Sequence, residues 1–114
     1  HSADRVGYAD FGAAVGRAVA GGEAGLGVCV CGSGIGIAMA ANKIPGIRAA
    51  TVHDATSARL AREHNDANVL CLGERLVDPE VASEAVRAWL GAEFEGGRHI
   101  GRVAKLAELD GSGT

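Results

Sequence analysis

The sequence predicts an α/β fold: a Rossmann-like parallel sheet in an α/β/α sandwich. Three observations carry this. Leu26-Gly27-Val28-Cys29-Val30-Cys31, Ile47-Arg48-Ala49-Ala50-Thr51-Val52 and Asn68-Val69-Leu70-Cys71-Leu72 are short, largely apolar runs, continuous as in strands covered on both faces. They recur about 20 residues apart, which calls for right-handed βαβ crossovers. Glycine punctuates the runs: Gly32 follows the first and Gly73 the last.

The elements follow in order. Tyr8 to about Ala20 carries Phe11, Val15 and Val19 at four-residue spacing, one face of a helix. The first strand run comes next, then a short Ala-rich helix from Ile35 to Asn42 and the second strand run. Asp54 is placed to cap a helix reaching Asn65. After the third strand run, Asp78-Pro79-Glu80 starts a capped helix with Pro at its first position, continuing through Val81, Ala85, Val86, Trp89 and Leu90. Gly96-Gly97 interrupts the chain, a last helix is expected from about Arg98 to Leu109, and Gly111–Thr114 is expected to fray. A three-stranded sheet is thin for a doubly wound fold, so N-terminal strands and a first helix are expected to be missing.

Bulk properties narrow the function. The chain has 114 residues, net charge -3, 18 Gly, three Cys and four His, a size expected for one domain, residues 1–114. Without a Lys/Arg cluster there is no nucleic-acid footprint. No apolar run spans a bilayer and no signal pattern opens the chain, so no membrane partner is expected. An odd Cys count leaves at least one thiol free. Cys29 and Cys31 on one strand lie about 6.6 Å apart, poorly placed for a disulfide. A reducing, cytoplasmic location is expected. Metal ligation is not: Cys29-x-Cys31 has the wrong spacing for zinc, and Cys71 has no nearby Cys or His in sequence.

The informative segment follows the first strand. In open parallel sheets ligands bind beyond the strands' carboxyl ends. There the chain reads Cys31-Gly32-Ser33-Gly34-Ile35-Gly36. Alternate glycines let amides turn toward one point, the helix start adds positive potential, and a thiol there is a usable base or nucleophile. The competing reading is a tight turn with an inert Cys. A dinucleotide fingerprint fails at Ile37 or Met39, where its last Gly or Ala should stand, although Asp54 lies at the distance of a ribose-binding acid. A Cys-phosphatase loop would need Arg at Ile37, and a P-loop would need Lys-Ser/Thr. A thiol, the Ser33 hydroxyl and bare amides suit proton transfer beside a carbonyl.

Other polar groups divide less cleanly. His64-Asn65 closes a helix, where His complements the dipole or serves as an acid/base group beside an amide for sugar hydroxyls. Arg98 and Arg102 share a face at a helix start, either as a solvated face or as an oxyanion site that relieves their conflict with the dipole. Arg75 follows the third strand, where a ligand-facing side chain would be. His53 and His99 remain open.

Cys31-Gly32-Ser33-Gly34-Ile35-Gly36, Ala40-Ala41-Asn42-Lys43 with Gly46-Ile47-Arg48-Ala49, Ala61–Leu70, and Phe94-Glu95-Gly96-Gly97-Arg98-His99 with Arg102 strongly resemble the ribose-5-phosphate isomerase B/galactose-6-phosphate isomerase (RpiB/LacAB) family. The resemblance implies a Rossmann-like sandwich, assembled as a homodimer or homotetramer with shared active sites and acting on a small sugar phosphate. It implies that Cys31 moves a proton between C2 and C1 through an enediolate. Ser33 and the amides of Gly32 to Gly36, including Gly34, would stabilise the oxyanion. His64 would open the sugar ring while Asn65 holds hydroxyls. Arg98 and Arg102 would grip the phosphate, with Arg75 assisting. Ile37 stands where some members carry a catalytic Glu, which marks the Cys-type branch. No cofactor and no metal are implied.

The expected activity is aldose–ketose isomerisation, with ribose 5-phosphate and ribulose 5-phosphate as first candidates. Family members open on a strand ending in Asp-His, which His1-Ser2-Ala3-Asp4 does not match. Tyr8-Ala9-Asp10 resembles a family Tyr-Pro-Asp located well inside the pattern. A partial domain is therefore expected. Its alternative role is a catalytically silent sugar-phosphate-binding module or partner subunit.

Overall fold

The computed structural model describes residues 7–113; His1–Asp4 and Thr114 lie outside them. The order is α1 (Tyr8–Ala20), β1 (Gly27–Cys31), α2 (Ile35–Ala41), β2 (Ala49–Thr51), α3 (Ala55–Asn65), β3 (Val69–Gly73), α4 (Pro79–Gly91) and α5 (His99–Asp110). The strands form one parallel sheet in the order β1-β3-β2. The expected α/β architecture is therefore present.

Strand β3 is central and all five of its residues are buried. On one face Cys29, Val69 and Cys71 pack with Ile37, Ala38, Ala41 and Ile47. On the other, Leu70 and Leu72 pack with Ala58, Ala61, Ala85 and Trp89. Trp89 is fully buried and its indole N–H donates to the Ala67 carbonyl at 3.1 Å, so a large apolar ring enters the core with its polar atom satisfied.

Three local expectations are corrected. Among the described residues, strand β1 is covered on one face only: Val28 and Val30 are 41% and 59% exposed. They sit in register with Leu70 and Leu72, but α3 and α4 cover the central strand and leave this edge open. Strand β2 is shorter than its apolar run. The Asn68 carboxamide accepts from the Arg48 amide at 2.8 Å, a side chain serving where a ladder partner would. The C-terminus does not fray at Gly111. That residue adopts φ +84, and the Gly113 N–H returns to the Ala107 carbonyl at 3.0 Å, closing the helix end.

The helix starts follow their capping signals. Asp54 accepts from the Ser57 amide at 2.7 Å within a capping box, and Asp78 caps α4 with Pro79 at the first turn. No helix among the described residues is long and apolar enough to cross a membrane.

Candidate functional site

At the carboxyl end of the sheet, β1 stops at Cys31 and the chain turns into α2. The loop after β3 is fastened to this turn: the Glu74 amide donates to the Cys31 carbonyl at 2.8 Å and the Arg75 amide to the Gly32 carbonyl at 3.0 Å. Gly34 adopts φ +76, and a Cβ there would lie 2.9 Å from the Leu72 carbonyl carbon. Only glycine satisfies both demands. The Thr51 hydroxyl donates to the Gly34 carbonyl at 2.8 Å. The Arg75 guanidinium lies over Gly32, and the Tyr8 ring packs against Gly36. With Cys31, Ser33, Gly34 and Ile37 these residues line a cleft of about 380 Å³.

Ser33 Oγ accepts from the Ile35 amide at 3.2 Å. That amide is occupied within the protein, while the Ser33 hydroxyl proton remains available to donate. All three cysteines are free thiols. Cys29 and Cys71 are buried and face each other in register. The hydrogen bond with Cys29, followed by burial, pushes the Cys71 thiol far above its ordinary range. Cys31, half-buried, is the one of the three that reaches the cleft.

The remaining expected residues lie elsewhere. Helix α3 connects the carboxyl end of β2 to the amino end of β3, so it runs back along the sheet and delivers His64 and Asn65 to the opposite end. Five residues of β3 span about 13 Å between those ends. There the His64 and His99 rings stack with centroids 4.3 Å apart and planes 15° from parallel. Glu95 Oε1 lies 3.6 Å from His64 Nε2 and 4.0 Å from His99 Nε2. His99 is 7% exposed. Burial, then the charges of His64, Arg98 and Arg102, hold its pKa below the ordinary histidine value, with Glu95 opposing. Arg98 and Arg102 are exposed at the start of α5, and neither has an ion-pair partner among the described residues.

Asn65 faces a cleft of about 660 Å³ shared with Asn42, Lys43, Arg48, Leu106 and Asp110. Much of the surrounding motif is structural. Asn42 pairs with both backbone groups of Ala49 at 2.7 and 3.0 Å. Arg48 binds the Asp66 carbonyl at 2.8 Å, Arg62 binds Asp66 at 2.9 Å, and Asn68 reaches the Gly46 carbonyl at 2.9 Å.

A single chain thus brings Cys31, Gly32, Ser33, Gly34, Gly36 and Arg75 together, and places His64, Asn65, Arg98 and Arg102 apart from them. Asp54 serves as a cap, and the His53 amide joins the same turn by donating to Ser57 Oγ at 3.2 Å. Sequence reasoning did not single out Tyr8, Thr51 or Glu95 as site residues. Tyr8 had a signal in the family-like Tyr8-Ala9-Asp10, whereas the other two meet their partners only through the fold. His64, Glu95 and His99 also bring potential metal-ligand atoms within 4.8 Å of one another. Arg98 and Arg102 place positive charge beside this cluster, which opposes a cation there.

The Ribose/Galactose Isomerase family matches residues 1–106. The chain belongs to this family. It is 48% identical over 109 residues to "Ribose-5-phosphate isomerase B" of Escherichia coli, covering 96% of this chain and 73% of that protein. It is 46% identical over 99 residues to "D-erythrulose-4-phosphate isomerase" of Pectobacterium atrosepticum, covering 87% and 65%. The structure of Clostridium thermocellum ribose-5-phosphate isomerase B superposes with a TM-score of 0.91 at 51% identity, covering 96% of this chain and 74% of that one. Both clusters, from Cys31 to Arg102, lie within the ribose/galactose isomerase match.

Proposed function

We propose that this chain is an aldose–ketose isomerase that interconverts ribose 5-phosphate and ribulose 5-phosphate without a cofactor. The half-buried Cys31 thiol in the glycine-lined cleft carries the reading. In its thiolate form Cys31 takes the proton from C2 of the open-chain aldose. The C2–H electron pair becomes the C1–C2 double bond of an enediolate, and charge develops on O1. The Ser33 hydroxyl, and cleft amides not already occupied, donate to that oxygen. Return of the proton to C1, with transfer of the hydroxyl proton from O2 to O1, completes the ketose. His64 opens the ring, Asn65 holds hydroxyls, and Arg98 and Arg102 bind the phosphate. Arg75 neutralises charge beside Cys31.

Two clusters at opposite ends of one sheet support active sites completed between two copies, in a homodimer or homotetramer. Exposed apolar side chains near each cluster support the same reading. Tyr8 and Met39 are 55% and 63% exposed on one side, Ile100 and Leu109 58% and 76% on the other. Three free thiols support a cytoplasmic setting.

Complementation tests the function and the sharing together. Cys31→Ala and His64→Ala are each expected to lose isomerase activity on ribose 5-phosphate. Subunits of the two variants, mixed and re-equilibrated, are expected to recover about a quarter of it, because half the dimers then carry one intact shared site. Activity in Cys31→Ala alone overturns the base assignment, and no recovery on mixing overturns the shared site. Erythrose 4-phosphate and galactose 6-phosphate, assayed alongside, test the choice of a pentose.

A further inference from the structure

The loop joining α4 to α5 places a carboxylate where an isolated one is disfavoured. The Glu95 amide donates to the Glu63 carbonyl at 2.9 Å, which fixes Glu95 beside the last turn of α3. A negative side chain at a helix C-terminus opposes the dipole. Its position is compensated by what it faces: Nε2 of both His64 and His99, at 3.6 and 4.0 Å. The other charged groups here are Arg98 and Arg102 on α5, and Glu63 on α3, whose carboxylate is already paired with Arg59 at 2.7 Å. Among the described residues, Glu95 is therefore the carboxylate that faces both stacked imidazoles.

The stack restricts how positive charge can reside there. Two protonated rings 4.3 Å apart repel each other. The inner ring, His99, is buried, and its pKa is held down. The outer ring, His64, is about a third exposed, and it is the one accessible to a ligand.

We propose that Glu95 is a positioning residue for His64, holding the stacked pair in orientation and balancing positive charge while His64 moves the proton needed for sugar-ring opening. His99 acts as the buried platform of the stack. This rests on the reading of His64 given above, and it adds a residue through which His64 acts. Glu95 itself need not touch the sugar.

The chemistry of the two substrates supplies the test. Ribose 5-phosphate is mainly a closed ring, whereas ribulose 5-phosphate, with its 5-hydroxyl esterified, cannot form a furanose and is open-chain. Glu95→Gln preserves shape and the backbone bond to Glu63 but removes the charge. It is expected to lower kcat/KM for ribose 5-phosphate by about tenfold or more, and by the same factor in reverse because the equilibrium constant is fixed. Exchange of the C1 hydrogen of ribulose 5-phosphate with D2O, which needs no ring opening or closure, is expected to keep most of its wild-type rate. The alkaline limb of the ribose 5-phosphate profile is expected to move to lower pH, and Glu95→Asp is expected to restore part of the rate. Equal losses of isomerisation and of C1–hydrogen exchange, or unchanged kinetics, overturn the proposal. His64→Ala separates the failures. If it slows ribose 5-phosphate turnover and Glu95→Gln does not, only the role of Glu95 fails. If His64→Ala keeps full turnover, the ring-opening reading fails as well, and the proposal with it.

Discussion

The two ends of the sheet are built by different means. At the carboxyl end, backbone hydrogen bonds and steric limits define the cleft. Cys31 and Gly32 carbonyls are bonded to the loop after β3, Gly34 is wedged against Leu72 and Gly73, and Thr51 braces the turn. At the amino end, side chains from two helix termini and one loop meet through ring stacking and charge. A cleft made of backbone resists distortion because moving it disturbs the sheet. A cluster held by side-chain contacts is less constrained by the sheet, and its geometry needs partners such as Glu95. Under the proposed function, the rigid half performs the proton transfer at carbon and the adjustable half receives ring and phosphate.

The sharpest challenge to this contrast is Cys31→Ala. It removes a half-buried thiol at the end of an edge strand, so kcat is expected to fall by roughly 10²- to 10⁴-fold with little change in the urea unfolding midpoint. A large loss of stability would mean that Cys31 is part of the scaffold and not of the chemistry.

Glycine substitution compares the ends next. Gly34→Ala combines a left-handed backbone with a Cβ 2.9 Å from the Leu72 backbone, and urea denaturation is expected to show a loss of about 2–3 kcal/mol. Gly97 also has positive φ, +54, but a Cβ there would meet nothing within 4 Å. Gly97→Ala is expected to cost about 1 kcal/mol, from the backbone conformation alone. Equal costs would erase the distinction between a wedged turn and an open one.

The smallest effect concerns acid. His99 titrates below its ordinary value of 6.5, so the unfolded chain binds the proton more readily than the fold does. Its contribution is present above about pH 6.5 and is lost as pH falls through the depressed folded value. Asp54 and Asp110, lowered from 3.8 by hydrogen bonds centred on Ser57 and Ser112, act in the same direction at lower pH. Thermal melts are expected to weaken on acidification from neutrality. His99→Phe is expected to remove the part of that slope nearest neutral pH and leave the lower part, dividing the acid response between the histidine cluster and the helix caps.

Much of this organisation is legible in the residues. Asp54 and Asp78-Pro79 announce helix starts, and Val69–Leu72 reads as a fully covered strand because every position is apolar. The Cys31–Gly36 turn is readable as a ligand site because strand, glycines and helix follow one another locally. Val28 and Val30 mislead: the same apolar run suits a central strand or an open edge, and only neighbouring elements distinguish them. The sequence also names His64, Arg98 and Arg102 without indicating which end of the sheet they occupy in a given chain.

Local chemistry is therefore what the residues dictate unaided: strand–turn–helix order, caps, the thiol among glycines, and the family motifs. How that chemistry is distributed in space is a property of the folded chain. A helix between parallel strands must run backwards, which carries His64 away from Cys31. Glu95 and His99 are 31 and 35 residues beyond His64, and nothing in local propensity links them. Their juxtaposition depends on α5 and its preceding loop closing against the end of α3, where burial and charge act through space and not along the chain.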